Sequence, residues 1–466
     1  MSNPTPQLGY FLKYCYWQNA CKLLEYQLSL KAKNKHFNIL SMFYYERINK
    51  QDKNRLQDKI YFNQRVSNNL LYGLRKEFAI YSYPIPKSNL GLRKYSFFTY
   101  PMRIAWYAVG LYLAKLSQEI VQQYYRKQSH IHSYYGGDLR FDDKTGDLCL
   151  SYKSVWYKPH YRRFRSKVRS EVQSDVQDKI VIHIDIQNYF EEISIPTLLD
   201  FLSEYVKPSI QREMSFDLTA KRQIVAFFDF IVSGRIGIPQ ADNDILSSFI
   251  GHLYLIFSDL LLDQEICKDS AVVKEHSIVR YMDDMYIVVS FHNQTARTDR
   301  EIYISDLAAR IADILYRKLG LRLNTKTRLY WLSRDNDKRD LLKNLKRVSS
   351  GYEMPDYDED DKKTGPQDKV ESIFRQLENL KKRALDPTFD ERSDLDDEIL
   401  KEVYDKSVSN LLRSRRNLER IKKIFDEFNF ELVMAQPREI LIVLLADHDA
   451  PQRFSEFLLK KKELSS

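Results

Sequence analysis

Two stretches decide the fold: HIDIQNYFEEI at 183–193 and RYMDDMYIVV at 280–289. Isoleucine occupies every second position from 180 to 186, and apolar residues flank the acids of the second stretch. Such alternation is typical of half-buried β-strands. The first stretch therefore predicts a strand, and the second predicts a hairpin with Asp283 and Asp284 at its turn.

Three carboxylates lie at the ends of these apolar strands, because Asp185 closes the first one. Acids in such places cost desolvation energy unless a cation compensates. If the strands are neighbours, Asp185, Asp283 and Asp284 converge. Carboxylates suit Mg²⁺, and two ions ~3.5–4 Å apart can activate a hydroxyl and stabilise a leaving phosphate. Solvated turn acids are the alternative reading.

Helical patterns surround the two stretches, so the fold class is α+β. Helices are predicted at 101–128, 195–206, 219–233, 243–262 and 301–319, and a loop leading into a hairpin at 134–150. Residues 333–369 are charged and poor in apolar residues, which indicates a linker. The predicted domains are a helical N-terminal extension (1–85), a central region (86–335), the charged linker (336–369) and an all-α C-terminal domain (370–466).

The composition is that of a soluble globular protein, with 43% apolar and 29% charged residues and a net charge of +9. It excludes gross disorder and collagen-like structure. Apolar runs are shorter than the ~18 residues of a membrane span, and the N-terminus lacks a secretion pattern, so we expect no membrane partner and a cytoplasmic location. Cysteines 15, 21, 149 and 267 show no zinc-ligand spacing and predict free thiols.

A basic segment at 153–169 contains seven Lys or Arg, no acid, and interleaved aromatic rings. Cations can bind phosphates and ring faces can stack on bases, so it is a candidate nucleic-acid track. An ordinary basic surface is the alternative reading. The candidate residues are Tyr157, Lys158, Tyr161, Arg162, Arg163, Arg165 and Lys167.

Further motifs give these carboxylates a context. GIPQ begins at Gly237, LRLNTKT spans 321–327, and a K…GLRK…P..R pattern begins at Lys87. In this order the motifs resemble those of the reverse transcriptase family, over about residues 86–331. The resemblance implies a palm and fingers in the central region.

The resemblance assigns the catalytic and metal-binding roles. Asp185 and Asp283 would ligate two Mg²⁺ or Mn²⁺ ions, with Asp284 in support. The backbone carbonyl of Ile186 would complete a metal shell.

The resemblance also assigns a dNTP site. Arg93 and Lys87 would hold the triphosphate, and Phe190 would exclude a 2′-hydroxyl. Gln240 would pack near the nascent base pair, and Lys326 could protonate the pyrophosphate. Surface cations, a core aromatic and a loop lysine are the alternative readings.

Two departures narrow the resemblance. The family's second motif usually continues Pro-Gln-Gly, but this sequence reads Pro239-Gln240-Ala241-Asp242. A helical C-terminal region also replaces the thumb domain that grips duplex in ordinary members of the family. Glycine allows close backbone approach, so the change disfavours ordinary template copying.

The layout is most similar to the abortive-infection branch of bacterial reverse transcriptases, which defends against phage. That likeness implies template-independent synthesis, a single-stranded DNA product attached to a tyrosine of the protein, a repeat-like helical C-terminal domain and a homo-oligomer, a trimer or hexamer. Most of the 32 Tyr precede Asp185, and no motif marks the priming one. A templated, retron-like enzyme and an inactive nucleic-acid-binding scaffold are the alternatives.

Overall fold

The computed structural model shows a mixed α+β chain. It describes residues 6–30, 37, 39–67, 77–86, 92–127, 129–135, 139–142, 148–149, 157–173, 179–240, 244–292, 294–325, 327–350, 367, 370–371, 374, 411 and 414–426. The chain divides into two compact units. The first comprises Met1–His36, Ser41–Ser82 and Ser96–Leu342, and the second Phe37–Leu40, Tyr83–Tyr95 and Lys343–Ser466.

The strands, in chain order, are β1 Ile80–Pro86, β2 Leu92–Phe98, β3 Ile131–Tyr134, β4 Arg140–Phe141, β5 Leu148–Cys149, β6 Lys179–Asp185, β7 Val273–Tyr281, β8 Asp284–Phe291 and β9 Arg328–Trp331. Five of them form the main sheet of the first unit, in the order β3-β7-β8-β6-β9. β3 is parallel to β7, and the other pairs are antiparallel. The strands predicted around 180–186 and 280–289 therefore are neighbours, β6 beside β8.

The helices are α1 Tyr14–Ser29, α2 Ile39–Arg47, α3 Lys50–Gln57, α4 Lys59–Tyr61, α5 Tyr100–Leu116, α6 Gln118–Lys127, α7 Tyr157–Gln173, α8 Tyr189–Glu192, α9 Ile195–Tyr205, α10 Pro208–Glu213, α11 Leu218–Ile231, α12 Ile245–Cys267, α13 Arg297–Leu319, α14 Asp335–Ser350 and α15 Arg415–Asp426. A 3₁₀ turn spans Leu8–Tyr10 and a π-helical turn spans Phe62–Ser67. The helix predicted over 101–128 is two helices, α5 and α6, separated at Ser117.

Two apolar helices form the centre of the first unit. In α5 every residue except Lys115 is buried, and α12 is buried along most of its length, as expected of helices that are hydrophobic on all sides. Gly110 lets them approach closely, because a Cβ added there would lie 2.4 Å from Leu246 Cδ1. By length and composition α12 could cross a membrane, but its most apolar stretch lies mostly inside the protein.

The sheet has a helix on each face. Side chains of adjacent strand residues point to opposite faces. Arg280 pairs with Asp259 of α12 on one face, while Tyr281 packs against Tyr161 of α7 on the other. The rings of Tyr281 and Tyr161 have centroids 5.0 Å apart.

The first part of the segment predicted as a linker is a helix. Residues 335–350 form α14, in which Leu341 and Leu345 are buried, and acids lie in the first turn. Apolar residues four apart share one helix face, and acids stabilise a helix N-terminus. Residues 351–366 lie outside the described residues.

The second unit is described in part. Val370 and Phe374, from the predicted C-terminal domain, are buried, and Arg420 of α15 lies 4.0 Å from the Phe374 ring centre. Arg420 also pairs with Glu371 at 2.9 Å. The rest of the predicted C-terminal helices lies outside the described residues.

Candidate active site

The register of β6 and β8 places two of the three predicted carboxylates opposite each other. Asp185 is directly opposite Asp284, and Asp283 precedes it in the turn. The carbonyl of Asp185 accepts from Asn324 on the far side of the strand, so Asp185 and Asp284 form a pair without mutual backbone bonds. In such pairs the Cα atoms are only ~4.5 Å apart and the side chains share one face. Two carboxylates are therefore held close together by backbone geometry.

The Ile186 carbonyl faces the same edge. Ile186 lies opposite Leu323 in an antiparallel bridge. The hydrogen bonds of this bridge are made by the flanking residues, from Asn324 N to Asp185 O and from Gln187 N to Arg322 O, both at 2.8 Å. In this antiparallel pattern the Ile186 carbonyl points away from Leu323, towards the side where β8 turns away. Its predicted role as a metal ligand fits this orientation.

These donors suit a hard divalent cation. The set consists of carboxylates and one backbone carbonyl, all oxygen, which is what Mg²⁺ and Mn²⁺ prefer. Asp185 and Asp283 are half-buried. Two clustered carboxylates repel each other, and a bound cation would relieve that repulsion.

Asp284 has a different environment from its two companions. His183, two residues before Asp185 on the same face of β6, hydrogen-bonds Asp284 Oδ1 through Nε2 at 2.8 Å. The imidazole is stacked on Tyr286, with ring centroids 4.4 Å apart. Because one carboxylate oxygen is held by His183, Asp284 suits a supporting role. His183 was missed by the sequence reading, although strand alternation places it beside Asp185.

A fully buried arginine fixes the hairpin turn. Arg280 binds Asp259 of α12, with Nε–Oδ1 at 2.9 Å and Nη2–Oδ2 at 2.6 Å, and both side chains are 0% exposed. Its Nη1 donates to the Met282 carbonyl at 3.3 Å. Met282 adopts a left-handed conformation with φ 52°, which is costly for a residue with a side chain. The Arg280–Asp259 pair therefore anchors a strained turn beside Asp283.

The surroundings of Arg280 keep its charge in place. Burial lowers the pKa of Arg280, but Asp259 and Tyr124 more than offset this and raise it overall. Tyr124 donates to Asp259 Oδ2 at 2.6 Å. Burial, followed by the Arg280 charge, lowers the pKa of His252, so that this histidine is neutral near pH 7. The sequence offered one signal for this network, an arginine that directly follows the apolar residues Ile278 and Val279.

Phe190 lies where three motifs meet. A Cβ added to Gly251 of α12 would lie 3.2 Å from both Phe190 Cε1 and Met282 Cε. Ile238 N donates to the Phe190 carbonyl at 2.8 Å. Gly237, with φ 108°, is required here, because an added Cβ would lie 2.7 Å from the same carbonyl oxygen. The GIPQ turn thus packs against the backbone of Phe190, and the hairpin turn and the Phe190 ring both approach Gly251 of α12.

The GIPQ turn is fixed from two sides. Gln240 accepts from Ser96 N at 2.9 Å through its backbone carbonyl, which ties it to β2. Ser247 Oγ donates to the Pro239 carbonyl at 2.8 Å. Gln240 is therefore held beside the segment that contacts Phe190.

Asp244 organises the start of α12 through buried contacts. It accepts from Ser247 N at 2.8 Å as the helix cap and from Trp106 Nε1 at 2.7 Å. Its other oxygen lies 3.1 Å from Arg103 Nη2, and both side chains are 1% exposed. Ala241 and Asp242, which depart from the family pattern, lie outside the described residues.

The candidate track is a helix packed on the sheet. In α7, Arg162 and Arg163 are exposed, whereas Tyr161 packs against Tyr281 and Lys167 pairs with Glu171 at 2.7 Å. Arg165 is half-buried. Burial lowers its pKa, whereas the charge of Asp284 is one of several nearby groups that raise it. The helix thus presents an exposed basic surface at Arg162 and Arg163.

Several predicted residues are not located by the structure. Lys87 and Lys326 lie outside the described residues, as do the side chains of Arg93, Tyr157 and Lys158. Their roles stay predictions.

Distant structural neighbours of this chain include two Candida telomerases. Telomerase from Candida tropicalis, solved with a TWJ fragment of telomeric RNA, matches with a TM-score of 0.31 and 12% identity over 78% of this chain and 61% of that one. Telomerase from Candida albicans, also with a TWJ fragment, matches with a TM-score of 0.23 and 11% identity over 91% and 79%. No family model and no curated protein matches the chain. At these TM-scores we take nothing about function from the neighbours.

Proposed function

We propose that this protein is a metal-dependent DNA polymerase of the reverse transcriptase type. The observation that carries the proposal is the pairing of Asp185 with Asp284 across β6 and β8, with Asp283 in the adjoining turn. Oxygen donors gathered at one sheet edge are what two-metal nucleotidyl transfer requires. Two Mg²⁺ or Mn²⁺ ions bound there would activate the attacking hydroxyl and stabilise the leaving group.

The residues around the carboxylates have complementary tasks in this reaction. The attacking hydroxyl forms a bond to the α-phosphorus of a dNTP, its proton passes to water, and the bond to the pyrophosphate oxygen breaks. Asp185, Asp283 and the Ile186 carbonyl would hold the cations, and Arg280 keeps the turn in position. Phe190 occupies the space beside the sugar, while Arg93, Lys87 and Lys326 are proposed to contact the phosphates.

We further propose that synthesis needs no template and begins on a tyrosine hydroxyl of the protein. The family likeness and the Ala241-Asp242 departure support this part. The product is then single-stranded DNA attached to the chain, in a cytoplasmic homo-oligomer that defends against phage. Exposed tyrosines in the first unit, among them Tyr10, Tyr81 and Tyr125, are candidate primers.

The test is nucleotide incorporation by the purified protein with Mg²⁺ or Mn²⁺ and labelled dNTPs, without template or primer. We expect label that stays with the protein through denaturing electrophoresis. Incorporation only with an added primer–template would instead support a templated, retron-like enzyme. If wild type and Asp283→Asn are equally inert with every substrate, the polymerase proposal is wrong and the inactive-scaffold alternative remains.

Replacing Phe190 by Ala will admit ribonucleotides, because the ring that blocks a 2′-hydroxyl is removed. We expect the preference for dNTP over rNTP to fall by about tenfold or more, measured as the ratio of incorporation efficiencies. Phe230→Ala is the matched control, because Phe230 is an exposed phenylalanine of α11. Unchanged selectivity in Phe190→Ala would remove the sugar-gate assignment.

A further inference from the structure

A mixed cluster of ligand-type side chains lies at the other end of β7 from the carboxylates. Ligand atoms of Asp263, Cys267 and His276 all lie within 4.8 Å of one another. Asp263 and Cys267 come from the last turns of α12, and His276 comes from β7. The cluster is five residues along β7 from Tyr281, or about 16 Å at ~3.3 Å per residue, so it is separate from the candidate active site.

The cluster lies on the same faces of α12 and β7 as the buried Asp259–Arg280 pair. Asp259, Asp263 and Cys267 are spaced by four residues and share one face of α12. His276 and Arg280 share one face of β7, because they are separated by an even number of residues. Along these faces the innermost pair is the buried Asp259–Arg280 pair, and the next pair outward is Asp263–His276, with Nε2–Oδ1 at 2.7 Å.

Neighbouring acids are neutralised by cations, whereas Asp263 is bonded to a histidine. Arg310 binds Glu265 at 2.7 Å and Asp269 at 2.6 Å. Asp263 bonds His276, whose side chain is 7% exposed. A thiol, an imidazole and a carboxylate then meet at one point, partly shielded from water, with Cys267 at the exposed end.

We propose that Asp263, Cys267 and His276 form a binding site for a borderline-soft divalent ion, Zn²⁺ first. Sulfur, nitrogen and carboxylate oxygen are the donors that zinc selects, whereas Mg²⁺ rarely takes sulfur or nitrogen. Donors around tetrahedral zinc lie roughly 3.3–3.8 Å apart, given Zn–N and Zn–S bonds of ~2.0–2.3 Å. Small side-chain rotations therefore suffice to close the cluster on the ion.

Water or His130 completes the shell. The His130 ring lies beside His276, with centroids 5.1 Å apart, and His130 is exposed. The backbone also joins this edge, because Ile278 N donates to the His130 carbonyl at 2.8 Å. The bound ion connects the end of α12 to β7, and so supports the strand that leads to the catalytic turn.

The first test uses the wild-type protein and follows alkylation of individual cysteines by mass spectrometry. Zn²⁺ should slow modification of Cys267 by about tenfold or more, since a ligated thiolate is not available as a nucleophile. Cys15 and Cys149 are exposed internal references and should react at unchanged rates. Mg²⁺ at millimolar concentration should protect none of them. Equal rates at Cys267 with and without Zn²⁺ overturn the proposal.

The second test replaces Zn²⁺ by Co²⁺ and measures thiolate-to-cobalt charge-transfer absorption. The band should be present in wild type, in Cys15→Ser and in Asp283→Asn, and absent in Cys267→Ser. Retention in Asp283→Asn separates this site from the catalytic one. A band that survives in Cys267→Ser, or that is lost in Asp283→Asn, contradicts the assignment.

Discussion

Replacing Asp283 by Asn will lower nucleotide incorporation by at least about 10³-fold, because the loss of one metal-ligating charge affects both the attacking and the leaving oxygen. Asp185→Asn should have a comparable effect, since Asp185 is the other carboxylate proposed to hold both ions. The measurement is the rate of labelled dNTP incorporation at saturating Mg²⁺, with circular dichroism to show that the variants are folded.

The three carboxylates are not expected to be equivalent. Asp284 is bonded to His183 at 2.8 Å, so Asp284→Asn should cost less activity than Asp283→Asn. Asp200→Asn is the matched control, because Asp200 is a largely exposed acid of α9. If Asp283→Asn kept activity within tenfold of the control, the two-metal assignment would be wrong.

Replacing Asp259 by Leu will lower the free energy of unfolding by about 3–5 kcal/mol, because it leaves the buried Arg280 without its counter-ion. Arg280→Met should cost a similar amount, since Asp259 is then the uncompensated charge. The double variant, Asp259→Leu with Arg280→Met, should recover most of the loss, because apolar side chains of similar volume can replace a buried ion pair. Denaturant unfolding of the wild type, the two single variants and the double variant measures the interaction free energy between the two side chains.

The same double variant separates stability from positioning. It lacks the donor to the Met282 carbonyl, so we expect a folded protein with reduced nucleotide incorporation. Asp313→Asn, which breaks an exposed pair with Arg317, is the control and should cost less than about 1 kcal/mol. Full activity in the stable double variant would contradict the positioning role of Arg280.

The sequence was sufficient to predict strands wherever apolar residues alternate along the chain. Isoleucines at alternate positions predicted β6, and the acids flanked by apolar residues predicted the β7–β8 hairpin. The sequence could not show that β6 pairs with β8, because nearly a hundred residues separate Asp185 from Asp283. The structure shows the two strands side by side, with Asp185 opposite Asp284.

Which buried charged residues pair with each other could be seen only in the structure. Arg280 with Asp259, and Arg103 with Asp244, join residues far apart in sequence. The cluster at Cys267 escaped a search for zinc-ligand spacing, since its three residues come from a helix end and a strand. Charged residues outnumber apolar ones in 335–350, and this composition is typical of a linker. Two leucines, Leu341 and Leu345, nevertheless give the helix one buried face.

Helix α12 makes the site sensitive to chain length as well as to side-chain identity. Asp244 caps its start, Gly251 leaves room for the side chains of Phe190 and Met282, and Asp259 binds Arg280. Each inserted or deleted residue turns the following part of a helix by about 100° and shifts it by ~1.5 Å. A single insertion between Gly251 and Asp259 would turn Asp259 away from β7 while leaving every side chain unchanged. The helix is thus constrained against insertions and deletions between Asp244 and Asp259, whatever side chains the intervening residues carry.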